Sequence, residues 1–248
     1  MKLKLLIALT VALMTMGAGN ASAATFADLA FIIDQSGSMG GEFNWLGNSI
    51  TTLSTAIQAQ GIDATYGVAG YERLAGSADS RNAWVDLTSS VQDVINEVDN
   101  ANTYGGTEKG YHALDWAANN FSWRGGDVAK VAVLITDEDA DYASSYSYAG
   151  LTGEVALAKM VQDNNILLNV ITNTGLYYVW DGAVYAKDLY VGLFDLNYLR
   201  TDPAGFTADF TAAKLKEIQQ YNPIPEPASM FLLGSGLFGI IGFRKKKN

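Results

Sequence analysis

Asp34, Ser36 and Ser38 place one carboxylate and two hydroxyls at alternate positions of a short polar stretch. Gly37 lets the backbone turn sharply there, so that both hydroxyls can point at the same centre as the carboxylate. Oxygen ligands of this kind suit Mg²⁺ or Ca²⁺, and Mn²⁺ less exclusively. The stretch therefore predicts a divalent-cation site. Taken alone, it fits an ordinary solvated strand-to-helix turn equally well, because Asp, Ser and Gly are common turn residues.

An apolar run at residues 29–33 leads directly into this polar stretch. Uninterrupted apolar residues are typical of a strand that is buried on both faces of a parallel sheet covered by helices. The polar residues then lie at the carboxyl end of that strand, which is where open α/β sheets bind their ligands.

The stretch at 34–38 resembles the DxSxS motif of von Willebrand factor A domains, in which it forms the first loop of a metal-ion-dependent adhesion site (MIDAS). Gly105-Gly106-Thr107 resembles the second metal loop of that family, and Thr136-Asp137, after an apolar run at 130–135, resembles the third. Without the first motif, Thr107 would be interpreted as a helix cap. With it, the resemblance implies five metal residues in three loops: Asp34, Ser36, Ser38, Thr107 and Asp137.

The resemblance also implies a role for each of the five residues around the bound cation. This cation would be Mg²⁺, Ca²⁺ or Mn²⁺. The three hydroxyls would contact the ion, and the two aspartates would act mainly through water. Glu138, Asp139 and Asp141 follow the third loop and are predicted to form a solvated acidic rim. A second calcium site there is disfavoured, because the glycine and the later glutamate of an EF-hand loop are missing.

The elements that must position these loops can be read from hydrophobic periodicity. We predict helices at 42–60, 91–98, 108–121, from 152 onward and at 206–221, and strands at 29–33, 64–71, 83–87, 130–135 and 166–172. A short loop between 71 and 83 favours antiparallel pairing of its flanking strands. These elements fit the α/β class, and the resemblance to A domains implies its form: a doubly wound, mainly parallel sheet flanked by helices, with one antiparallel edge strand.

Residues 176–185 depart from the simple family pattern. Two aromatic-rich segments flank Asp181-Gly182, which is a strong signal for a tight β-hairpin turn. We predict an extra hairpin here. Its aromatic residues, Tyr177, Tyr178, Trp180 and Tyr185, would form either a sugar- or protein-contacting surface or cross-strand pairs that cover the core.

Composition excludes several classes of function. The chain of 248 residues has no cysteine and one histidine, His112, which rules out disulfide scaffolds, thiolate zinc sites and multi-histidine metal sites. The formal net charge is −10, and six of the 16 basic residues lie at the two ends. The rest of the chain is strongly acidic, which argues against nucleic acid as a partner and suits a protein that attracts cations.

The amino terminus has the order of a secretory signal peptide: a basic start, an apolar stretch and a small-residue cleavage site. We predict a signal peptide at 1–23, cleaved between Ala23 and Ala24, and a mature domain at 24–222. The protein would then be exported.

The carboxyl terminus, residues 223–248, resembles the PEP-CTERM sorting signal of Gram-negative bacteria. It contains Pro225, Glu226 and Pro227, an uncharged apolar segment at 228–243, and a basic cluster at 244–247. The resemblance implies transient anchoring in the inner membrane, processing by an exosortase-type protease, and association with the cell surface, exopolysaccharide or biofilm matrix. A permanent single-span membrane anchor is the alternative.

These features together predict a non-enzymatic binding or adhesion module. Its cation would bind an acidic group on a protein or exopolysaccharide partner. One alternative is a structural component of the envelope or biofilm matrix in which the cation only stabilises the fold. A hydrolytic enzyme is disfavoured, because Ser36 and Ser38 have no signalled catalytic base.

Overall fold

A six-stranded sheet forms the centre of the computed structural model, which describes residues 25–71, 83–103, 106, 108–187 and 192–221. The strands in chain order are β1 (Thr25–Asp34), β2 (Ile62–Tyr71), β3 (Trp84–Thr88), β4 (Val128–Ile135), β5 (Ser147–Tyr148), β6 (Leu151–Thr152), β7 (Ile166–Thr172) and β8 (Leu193–Asp195). The order in the sheet is β3-β2-β1-β4-β7-β8, and β5 pairs with β6 alone. Only β2 and β3 are antiparallel neighbours within the large sheet.

Helices cover both faces of this sheet. They are α1 (Gly40–Ala59), α2 (Val91–Asp99), α3 (Gly110–Asn120), α4 (Gly153–Asp163), α5 (Asp181–Val184), α6 (Leu196–Thr201) and α7 (Pro203–Tyr221). The helices α1, α2, α6 and α7 pack in the core on one face, whereas α3, α4 and α5 pack on the other. The predicted fold class, including the antiparallel edge strand, is confirmed.

The side chains of the central strand β1 contribute to the core on both faces of the sheet. It pairs in parallel with β2 on one side and with β4 on the other, so both of its edges are hydrogen-bonded to neighbouring strands. Leu29, Phe31 and Ile33 face the layer of α1 and α7, whereas Ala30 and Ile32 face the layer of α3 and α4. Each large apolar side chain buried in this way stabilises the fold by ~1.5–3 kcal/mol.

The hairpin predicted for residues 176–185 is wrong. This segment consists of a 3₁₀ helix (Thr174–Val179), α5, and a second 3₁₀ turn (Tyr185–Lys187). The N–H of Gly182 donates to Glu154 Oε1 on α4 at 2.8 Å, instead of pairing across a hairpin. Trp180 is fully buried beside Tyr111, so packing against α3 and α4 overrides the local turn signal.

A small hairpin lies elsewhere, formed by β5 and β6. Ala149 and Gly150 connect the two strands with φ values of 51° and 80°. Positive φ at both central positions is the type I′ arrangement that matches the twist of paired strands. Ala-Gly is a weaker signal for this turn than Asp-Gly, which explains why the sequence pointed to residues 181–182 instead.

Several predictions fall on residues outside the described ranges. These are the signal peptide at 1–23 with its cleavage site, the metal ligand Thr107, and the sorting signal at 223–248 with its apolar segment at 228–243. Within the ranges that the structure describes, no helix is long and apolar enough to cross a membrane.

Candidate metal site

Asp34 is the last residue of β1, and its carboxylate is held from two sides. The backbone N–H of Ser36 donates to Oδ1 at 2.7 Å, and the hydroxyl of Thr136, which follows β4, donates to Oδ2 at 3.0 Å. Because β1 and β4 are parallel neighbours, their carboxyl ends lie at the same edge of the sheet. The first and third predicted metal loops are therefore joined at Asp34.

Burial has a large effect on this carboxylate. It is the main reason that the pKa of Asp34 is raised to about 7, and the negative charge of Glu108 acts in the same direction. The hydrogen bonds from Ser36 and Thr136 lower the pKa, but they do not offset the loss of water. A cation placed beside Asp34 would favour its ionised form, which is the requirement for a buried carboxylate in a metal site.

The two serine hydroxyls and Asp137 form a connected group. Ser36 Oγ lies 3.2 Å from Ser38 Oγ, and the Ser38 hydroxyl donates to Asp137 Oδ1 at 3.0 Å. The structure thus brings together four of the five predicted metal residues, Asp34, Ser36, Ser38 and Asp137.

Both flanks of the segment that contains Thr107 are attached to the other two loops. The buried side chain of Gln35 donates to the carbonyl of Asn102 at 3.0 Å. On the other flank, the N–H of Asp141 donates to the carbonyl of Glu108 at 2.8 Å, and the N–H of Glu108 donates to Asp141 Oδ2 at 3.3 Å. Asn102 is therefore tied to the first loop and Glu108 to the third.

The donor set fits a hard divalent cation. Its members are hydroxyl and carboxylate oxygens, which suit Mg²⁺, Ca²⁺ and Mn²⁺ better than soft metals. In the part of the chain that the structure describes, no three His, Cys, Asp or Glu side chains form a group that could hold a metal. Ser36 and Ser38 supply oxygens that such groups do not include, so a site here relies on hydroxyls as well as carboxylates.

Arg200 is a residue of this site that sequence reasoning missed. Its Nε lies 2.6 Å from Glu42 Oε1, and its Nη2 lies 2.9 Å from Asp137 Oδ2. Nη2 also donates to the Ser38 carbonyl at 3.5 Å. The guanidinium thus neutralises Asp137 and the buried Glu42. No signal in the sequence indicated this contact, because α6, which carries Arg200, was not predicted.

The sequence model of the von Willebrand factor type A domain matches residues 28–174, which is more than half of the chain. The chain belongs to this family. A second model, the PEP-CTERM protein-sorting motif, matches residues 223–247. No curated protein sequence matches the chain.

Solved structures with the same fold share little sequence with this A domain. Proximal thread matrix protein 1 from the mussel byssus superposes with a TM-score of 0.53 at 14% identity, over 79% of this chain and 46% of that one. The same mussel protein with a zinc-occupied MIDAS motif gives 0.55 at 16% identity, over 78% and 47%. The pilus adhesin SpaC from Lactobacillus rhamnosus GG, in its open conformation, gives 0.52 at 16% identity, over 81% and 31%. The chain spans less than half the length of these structures.

The A domain surrounds its candidate site with negative charge. Glu138 and Asp139 are exposed, as expected for an acidic rim. Burial raises the pKa of Glu108, and the charges of Glu138, Asp141 and Asp137 raise it further. These carboxylates therefore lie close enough to repel one another, and a divalent cation would relieve that repulsion.

A groove of about 720 Å³ begins beside the site and runs between α1 and α7. Ser38, Glu42 and Arg200 lie at the end of the groove that adjoins the site. The rest of the lining mixes amides and hydroxyls with apolar side chains, and most of its surface is apolar: Asn44, Asn48, Ser49, Thr52 and Thr207 alternate with Trp45, Leu199, Pro203, Ala204 and Ala208. This volume lies within the usual range of ligand pockets, ~300–1,000 Å³.

Proposed function

We propose that this protein is an exported, non-enzymatic binding module of the cell surface or extracellular matrix, which binds its partner through a divalent cation. The observation that carries the proposal is the convergence of Asp34, Ser36, Ser38 and Asp137 at the carboxyl ends of β1 and β4. The A-domain family and its MIDAS motif support the same function.

The chemistry of the donors explains why such a site would bind a partner. When bound, the cation supplies an electrophilic centre that attracts an acidic group. Ser36, Ser38 and Thr107 would be neutral direct ligands, while Asp34 and Asp137 orient the site and balance charge. Because few carboxylates contact the cation directly, its positive charge is only partly neutralised by the chain.

The groove suggests what kind of partner would be bound. Its amides and hydroxyls can hydrogen-bond an extended chain, such as a peptide or an exopolysaccharide, while Trp45 and the other apolar side chains of the groove pack against that chain. An acidic group at one end of that chain would reach the cation beside Ser38, while the neighbouring part of the partner lies between α1 and α7.

The ends of the chain support export and surface association. The proposed signal peptide at 1–23 would direct the chain out of the cytoplasm. The match to the PEP-CTERM motif supports sorting by an exosortase-type protease in a Gram-negative envelope. Transient anchoring of the domain at 24–222 through the segment at 228–243 belongs to the same proposal.

Calorimetry with Mg²⁺ and Ca²⁺ tests the cation site. We expect the wild-type protein to bind one of these ions saturably, and Asp34→Ala and Asp137→Ala to abolish that binding. Asp139→Ala is the matched control, because it removes an exposed carboxylate from the same rim and should leave binding nearly unchanged. Absence of binding in well-folded wild-type protein would contradict the proposal.

A structural role in the matrix is the second candidate. The Arg200–Asp137 pair favours it, because it shows that positive charge at this acidic edge helps to hold the loops in place, an effect to which a bound divalent cation would add. In that case, adding a chelator would lower the melting temperature but would not release any partner. Cation-dependent retention on purified exopolysaccharide or matrix protein, lost in Asp34→Ala, would favour the binding module instead.

Removing the positive charge of Arg200 should strengthen cation binding. The guanidinium contacts Asp137, so it repels a divalent cation that shares this carboxylate. We expect Arg200→Gln to lower the dissociation constant for Mg²⁺ by roughly three- to tenfold at low salt. Lys159→Gln makes the same change of charge on α4, where Lys159 pairs with Asp163, and should have no effect. Equal or weaker binding by Arg200→Gln would show that Arg200 does not compete.

A further inference from the structure

Three polar side chains meet in the core on the α7 side of the sheet, and the candidate metal site does not use them. Asn169 lies on β7, and Lys214 and Glu217 lie one turn apart on α7. All three are almost completely buried. A lysine is rarely buried to this degree, so the cluster calls for a chemical explanation.

The contacts within this cluster have a specific arrangement. The amine of Lys214 donates to Asn169 Oδ1 and to Glu217 Oε2. The side-chain nitrogen of Asn169 lies 3.2 and 3.3 Å from the two carboxylate oxygens of Glu217. The lysine nitrogen is thus adjacent to the carboxamide of Asn169, and one carboxylate contacts both the amine and the amide nitrogen.

Burial disfavours the charged form of this amine, whereas two aromatic rings and a carboxylate attract it. The rings of Phe194 and Phe210 lie with their centroids 5.2 and 5.3 Å from Lys214 Nζ. Burial lowers the pKa of Lys214, although the charge of Glu217 opposes this effect. Loss of its proton leaves a neutral amine, which is the nucleophilic form of lysine.

We propose that Lys214 and Asn169 become joined by an intramolecular isopeptide bond, with Glu217 as the proton carrier. Lys214 Nζ attacks Cγ of Asn169 and forms the new C–N bond. Glu217 accepts the proton that Nζ loses and delivers a proton to Nδ2. The Cγ–Nδ2 bond then breaks and ammonia leaves. An amine and a primary amide become a secondary amide and ammonia, so the step needs no oxidant, reductant or cofactor.

The position of the bond gives it a structural use. It would link β7, within the central sheet, to α7, the last described helix, across 45 positions of sequence. The chain has no cysteine, so a disulfide cannot provide such a link. In an exported protein without disulfides, this bond would provide a covalent cross-link that reducing agents do not break.

Peptide mapping of the purified full-length protein tests the inference. Trypsin should normally release Asn169 in peptide 160–187 and cut after Lys214. With the bond present, cleavage at Lys214 fails, and peptide 160–187 appears joined to 201–216. We expect this branched peptide to weigh one ammonia less than its two parts, and the intact wild-type protein to show the same deficit. Separate, unmodified peptides from folded wild-type protein would overturn the proposal.

Variants test the assigned roles. Glu217→Gln keeps the size of the side chain but removes the proton carrier, and Lys214→Arg removes the nucleophile. Both should give the full intact mass and separate peptides. Lys216→Arg is the matched control, because Lys216 is exposed on the same helix, and it should retain the deficit. A branched peptide in folded Glu217→Gln would refute the role of Glu217. Because the wild-type map decides whether the bond exists, a variant that fails to fold leaves the test intact.

Discussion

Replacing Trp180 with alanine should lower the free energy of unfolding by ~3–5 kcal/mol, because it removes a large side chain from the core and leaves a cavity. Trp180 is 0% exposed, and its ring packs edge-on against Tyr111 at a centroid distance of 5.2 Å. It also fills the space beside Gly110, where an added Cβ would lie 2.5 Å from the ring. Urea denaturation followed by circular dichroism measures the loss.

Tyr178 provides the matched control for this experiment. It lies two residues away on the same segment, but 68% of it is exposed. Tyr178→Ala should change the free energy of unfolding by no more than ~0.5 kcal/mol. A cost for Tyr178→Ala as large as that for Trp180→Ala would mean that the segment packs differently, for instance as the two-stranded hairpin that the sequence suggested.

Replacing Asp28 with alanine should cost roughly 2–4 kcal/mol, because it removes a completely buried carboxylate that accepts three hydrogen bonds. Asp28 lies on β1, and its carboxylate is completely buried. It accepts hydrogen bonds from Arg124 Nε at 2.6 Å, from the Arg124 backbone N–H at 2.7 Å and from Thr65 Oγ1 at 2.7 Å. Without Asp28, these donors would lose their acceptor, and water could replace it only in part, because the Arg124 side chain is 29% exposed. Chemical denaturation measures this loss as well.

Asp63 tests whether the burial of Asp28 is what matters. It pairs with the same arginine at 3.2 Å, but 59% of its side chain is exposed. Asp63→Ala should cost at most ~1 kcal/mol, as exposed ion pairs usually do. Similar losses in the two variants would show that the charge of Arg124, and not the buried network around Asp28, dominates.

The sequence predicted the structure most reliably where a single local pattern corresponds to a single strand or loop. The apolar run at 29–33 predicted a strand that is buried on both faces, and all five residues are buried in β1. The three loop motifs predicted which side chains meet, and Asp34, Ser36, Ser38 and Asp137 do lie together. Their role as metal ligands stays a prediction, as does the role of Thr107.

Prediction failed where distant contacts decide the local structure. Asp181-Gly182 would favour a tight turn in isolation, but Glu154 on α4 binds the N–H of Gly182. The strand β8 has only three residues, too few for a visible alternation. Arg200, on the short helix α6, contacts Asp137 from 63 positions away. Local propensity carries no information about such partners, since only the completed fold brings them together.

The attachment of α7 determines how this protein would respond to mechanical load. If the domain is held through its carboxyl end, a pull enters at Tyr221, the last residue of α7. A helix held only by packing can peel from a sheet one turn at a time. With Lys214 bonded to Asn169, peeling would stop after residues 215–221, and further force would act directly on β7. That strand is hydrogen-bonded along its length to β4, so resistance would come from many bonds strained at once.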